Sequence, residues 1–139
     1  MQTADADDGT PATLTEVIVT ADSKIGDDTQ AFFVQDIGGG AYSGVRVFVE
    51  DTTDVGLTEG AMIDITGTTF EYWDVTEVVV ASIDDIWLSD AVIAPTVDTV
   101  ELPVEDWEVW EGGLIRFDDV TVETDPDSYG ECDLSVGIA

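Results

Sequence analysis

Residues 44–72, GVRVFVEDTTDVGLTEGAMIDITGTTFEY, decide the fold of this chain. At their start Val45, Val47 and Val49 alternate with Arg46, Phe48 and Glu50, the period of two that a strand shows when one face is buried and the other open. At their end, residues 61–72 (AMIDITGTTFEY) form a longer strand. Met62 or Ile63 begins its apolar alternation, and Gly67 permits a bend or bulge. The connection between them, residues 51–60, is turn-rich and too short for a good helix.

On the N-terminal side, residues 31–36 (AFFVQD) read as a strand that turns at Gly38, Gly39 and Gly40. Before it, residues 16–21 (EVIVTA) form a β-branched first strand, closed by the turn-rich DSKIGDD. On the C-terminal side, a turn at Tyr72, Trp73 and Asp74 leads into a fifth strand over residues 76–88, TEVVVASIDDIWL. Five strands with short turns and no long amphipathic helix predict an all-β domain, a closed or nearly closed five-stranded Greek-key barrel.

The barrel core is expected over residues 14–88, after a flexible acidic lead-in over 1–13, with a C-terminal extension over 89–139. In the extension, Val104, Trp107 and Trp110 share one side of a short helix that Gly112 and Gly113 would cap. A sixth strand over 114–123 follows, and a further strand is plausible over 132–136.

The chain has 139 residues, enough for one domain with its own core, and 44% of them are hydrophobic, so it is not a disordered polyanion. Thirty-two acidic residues stand against Lys24, Arg46 and Arg116, a formal net charge of -29. Such a surface repels itself in dilute buffer, and salt relieves the repulsion as the screening length falls from about 10 Å at 0.1 M to about 3 Å at 1 M. Adaptation to a saline setting is the reading this favours. A Ca²⁺-loaded protein and a docking surface for a basic partner are the alternatives.

Catalytic equipment is thin. There is no histidine, no CxxC pair and no nucleophile elbow, and Cys132 is alone. Asp84 and Asp85, adjacent on the expected fifth strand, would point to opposite faces. Asp125 and Asp127, with Gly130 and Glu131, resemble half of a calcium loop that lacks its later glutamate, and Asp5, Asp7 and Asp8 are equally incomplete. The expectation is no enzyme and no cofactor, with Ca²⁺ at Asp125, Asp127 and Glu131 as a subsidiary possibility. No run approaches the roughly 18 apolar residues of a membrane helix, and Met1 is followed by polar residues, so a soluble chain is expected.

The order of EVIVTA, AFFVQD with its glycine turn, GVRVFVE and LTEGAMIDITGTTFEYWDVTEV resembles an oligonucleotide-binding (OB) fold. More narrowly, it is similar to OB domains attached to secreted bacterial nucleases of the endonuclease/exonuclease/phosphatase type. Residues 32–36, 43–45, 60–72 and 76–78 match that group's FFLQD, SGI, GD-V-VTG-V-EY and T-x-V patterns, and residues 110–116 (WEGGLIR) and 119–122 (DVTV) match its YEGMLVR and ENVTV segments. The resemblance covers roughly residues 14–135. It implies an accessory, non-catalytic module of an exported enzyme, extracellular or periplasmic, whose nuclease chemistry belongs to a separate domain of the parent chain.

In OB folds the ligand lies across strands two and three, flanked by the one-to-two and four-to-five loops. If Val45, Val47 and Val49 face inward, Arg46 and Phe48 face outward beside Phe33 and Gln35, and Tyr72 and Trp73 sit in the four-to-five loop. These six residues are the candidate site for single-stranded DNA or RNA, a stacking platform with one cation. The competing reading is a structural or protein-interaction domain, with or without Ca²⁺ to stabilise it, in which the same rings pack beneath residues 103–113. Exposure of Phe33, Phe48, Tyr72 and Trp73 discriminates between the two.

Overall fold

A computed structural model of the chain describes residues 9–21, 30–128 and 131–136. Five strands form a ring: β1 (Pro11–Val19), β2 (Gln30–Gln35), β3 (Gly44–Val49), β4 (Ala61–Tyr72) and β5 (Val75–Val80). β1 pairs antiparallel with both β2 and β4, β2 with β3, and β4 with β5, while β3 and β5 run parallel. The order is therefore β1-β2-β3-β5-β4 and back to β1.

Inside the ring lie Val17, Val19, Phe32, Val34, Val45, Val47, Val49, Ile63, Ile65, Val78 and Val80. The alternation expected for β3 is present, with its three valines buried and Arg46 and Phe48 half-buried on the other side. β1 keeps its apolar residues inward by a bulge: Leu14 faces Ile65 but Val17 faces Ile63, so three steps of β1 span two of β4. Glu16 sits in the bulge at φ 53°, its N–H bonded to Asp64 Oδ1 at 2.7 Å. Gly67 marks the place where β4 passes from one partner, β6 (Ile86–Val92), to another, β5. A Cβ there would lie 2.5 Å from the carbonyl oxygen of Val79, so only glycine admits this approach.

Three expectations are corrected. β1 begins at Pro11, inside the stretch read as a lead-in, because residues 11–13 pair with Thr68, Gly67 and Thr66. The fifth strand is two strands, β5 and β6 (Ile86–Val92), separated by a 3-10 turn over Ile83–Asp85. Val79 faces Thr68, so an unbroken ladder would set Ser82 against Ile65; Ile86 stands there instead, and four residues are looped out. Asp84 and Asp85 thus lie in a turn and not on a strand. The sixth strand is also divided, into β8 (Ile115–Arg116) and β9 (Val120–Val122), with Asp119 at φ 60° between them.

The extension closes on itself through parallel β7 (Asp98–Thr99) with β8, and antiparallel β9 with β10 (Leu134–Val136). Its helical part is one 3-10 turn, Glu108–Trp110. Several hydrogen bonds fasten it to the ring. Gly40 N–H donates to Asp98 Oδ2 at 2.7 Å, Tyr42 N–H to the Val109 carbonyl at 2.6 Å, and Thr76 N–H to Glu111 Oε1 at 2.6 Å.

Candidate ligand-binding face

Paired residues on neighbouring strands share a face, so register assembles the site. Phe33 of β2 stands beside Arg46 of β3, Arg46 beside Glu77 of β5, and Glu77 beside Phe70 of β4. The next row outward-facing on β3 is Phe48, beside Ala31 and Val79. Tyr72 follows Phe70 by one strand period and stands on the same side of β4. Arg46, Phe48, Tyr72 and Glu77 line an open cleft of about 350 Å³.

Tyr72 is 55% exposed and Trp73 84%, their rings meeting edge to face at 6.4 Å. Trp73 and Asp74 turn β4 into β5 with φ of 50° and 60°. Two positive φ values are what a tight two-residue hairpin turn requires, and Asn-Gly is the pair that meets it with least strain. A tryptophan here costs of order 1–3 kcal/mol of backbone strain, with little burial to offset it.

Arg46 does not face solvent as a free cation. Its Nη1 lies 3.1 Å from Glu77 Oε2, with the arginine side chain 25% exposed and the glutamate 8%. Burial pushes the Glu77 carboxyl above its ordinary value, against the pull of the guanidinium. Arg116, the other described cation, holds Asp118 at 3.0 Å in an exposed pair.

The structure brings together Phe33, Arg46, Phe48, Tyr72 and Trp73 and removes Gln35. Gln35 is fully buried; its Nε2 donates to the Thr96 carbonyl at 2.6 Å and its Oε1 accepts from Leu114 N–H at 3.0 Å. Ile18, its neighbour on β1, is buried with it. The extension covers this end of the outer face, so Gln35 is a fastening and not a ligand contact. The cleft stays open beside it, and Trp107, 55% exposed, meets Phe117 at 5.8 Å. Sequence reasoning missed Glu77 and Phe70. A lone acid inside TEVVVA and an aromatic one period before Tyr72 were the available signals.

Asp125, Asp127 and Glu131 line a separate open hollow with Thr124, Cys132 and Asp133. Asp127 Oδ1 accepts the Glu131 N–H at 3.0 Å, and Asp127 N–H donates to the Glu131 carbonyl at 2.8 Å, so these residues close a loop on each other. Among the described residues no three acidic or cysteine side chains approach closely enough to hold a metal ion. Lys24, Asp5, Asp7, Asp8 and Gly130 lie outside the described residues.

Comparison of the chain with protein families, with curated proteins and with solved structures gives no match.

Proposed function

We propose that this chain is a non-catalytic module of the OB type, a five-stranded Greek-key barrel that binds single-stranded DNA or RNA across β2, β3, β4 and β5. Its place is as an accessory part of an exported enzyme in a saline setting. The strand order β1-β2-β3-β5-β4-β1, with β3 parallel to β5, supports the barrel type. The observation that carries the binding reading is Trp73: an indole held at positive φ, exposed, and meeting edge to face the ring of Tyr72, which lines the cleft. Packing does not account for it, whereas stacking on a base, at about 1–3 kcal/mol per ring, does.

Anisotropy titration of a labelled single-stranded oligonucleotide at molar salt tests this. Binding that weakens on Trp73→Ala and Phe48→Ala is the expected result, and an absence of binding at every salt concentration overturns it. One observation favours a second reading, a protein-interaction module: Trp87, Leu88 and Val92 on β6 are exposed. That reading gains if a protein partner is lost on Trp87→Ser while Trp73→Ala has no effect.

A further inference from the structure

We propose that the cleft takes an uncharged nucleobase and leaves the phosphate backbone outside, so that binding at this face releases no counterions; the inference rests on the nucleic-acid reading above. A phosphate-binding groove needs a cation whose charge is available. Among the described residues the one cation of the face, Arg46, is held 3.1 Å from Glu77, and that carboxylate lies in the same cross-strand row, between Arg46 and Phe70. A phosphate drawn toward the guanidinium also approaches the carboxylate paired with it. The two charges cancel for any ligand more than a few ångströms away, and the surrounding net charge of -29 adds repulsion.

What the cleft offers a neutral ring is more favourable. Phe48 and Tyr72 form its walls, with Phe70 and Trp73 next to them. The guanidinium and carboxylate at its floor place hydrogen-bond donors beside acceptors. Base edges also carry donors and acceptors side by side, so a base can exchange hydrogen bonds with an internally neutral pair without bringing net charge to it. The volume, about 350 Å³, is at the small end of ligand sites, suited to a single ring system more than to a run of backbone.

The test compares a short single-stranded DNA with a peptide nucleic acid of the same bases, whose backbone is uncharged, between about 0.1 M and 1 M salt. For the native chain, the neutral strand should bind about tenfold more tightly or better at low salt. The difference should shrink toward molar salt, and DNA affinity should stay level or rise as salt is added. Glu77→Gln, a near-isosteric change, leaves Arg46 uncompensated. It should then give DNA binding a falling salt dependence, with a logarithmic slope lower by about 0.7, the value for one phosphate on a single strand.

DNA bound more tightly than the neutral strand by the native chain, with affinity falling as salt rises, overturns this inference and leaves the proposed function standing. Binding of neither strand at any salt removes both. Neutral-strand binding that Tyr72→Ala and Trp73→Ala leave unchanged puts the bases elsewhere and also overturns it. The native-chain comparison holds even if Glu77→Gln fails to fold.

Discussion

At the scale of single residues, the site is defined by conflict between local preference and position. Trp73 occupies a backbone region that glycine tolerates and bulky residues avoid. Trp73→Gly should therefore stabilise the fold by about 0.5–1 kcal/mol, strain relief exceeding one exposed ring contact, while weakening single-strand binding by about 1–3 kcal/mol. Denaturant melts and anisotropy on the same variant measure the two effects, and their opposite signs distinguish a functional residue from a structural one.

Gln35 shows the reverse. Alternation along β2 told which side it faces but nothing of what covers that side, because the cover comes from residues 96 and 114, distant in the chain. Gln35→Ala should cost about 2–4 kcal/mol, leaving a buried carbonyl and N–H without partners, and should leave ligand affinity at the cleft unchanged where the variant is folded.

Glu77 adds a dependence on pH. Its carboxyl is raised, chiefly by burial, so the folded chain holds this proton to higher pH than the unfolded chain does. The contribution favours folding below the ordinary carboxylate value and is lost as pH rises through the raised one. Melts at molar salt across that window should show this decline, and Glu77→Gln should flatten it.

At the scale of elements, β3 was legible because it alternates along its length and β4 because it alternates over residues 61–65, and the expected bounds of β4 coincide with those observed. The break between β5 and β6 was not, since Ile83 and Ile86 keep the run apolar through the 3-10 turn. The signal that went unread is Ser82, whose Oγ accepts the Asp84 N–H at 3.2 Å, a serine cap ahead of two acids.

The closest approach of ring and extension was equally hidden, because it is backbone on backbone. A Cβ on Gly44 would fall 2.2 Å from the carbonyl carbon of Gly112, which itself holds φ at 70°. Gly44→Ala should therefore unseat the extension locally, at about 1–3 kcal/mol or more. Hydrogen exchange should report it first at the Tyr42 and Leu114 amides, which bond across this joint. The ring amides of β1 and β4 should keep their protection.

At the scale of the whole molecule, the charge sets the conditions under which everything above can be measured. A net charge of -29 spread over 8678 Å² of surface opposes compaction, and the described ion pairs, one partly buried and one exposed, offset little of it. The melting temperature should therefore climb between about 0.1 M and 1 M NaCl, because the screening length drops from about 10 Å to about 3 Å, below the spacing of most carboxylates. KCl should act like NaCl, since screening depends on ionic strength and not on the ion's fit. Mg²⁺ and Ca²⁺ at matched ionic strength should raise the melting temperature to a similar degree, because the Asp127 carboxylate already accepts the Glu131 N–H and no three acidic or cysteine side chains among the described residues are grouped to hold a metal ion. A flat melting temperature across the series would remove salt adaptation as the reason for the acidic surface. A rise confined to Ca²⁺ would instead assign that surface to oxygen-rich cation sites, and Asp125, Asp127 and Glu131 would be the first place to look.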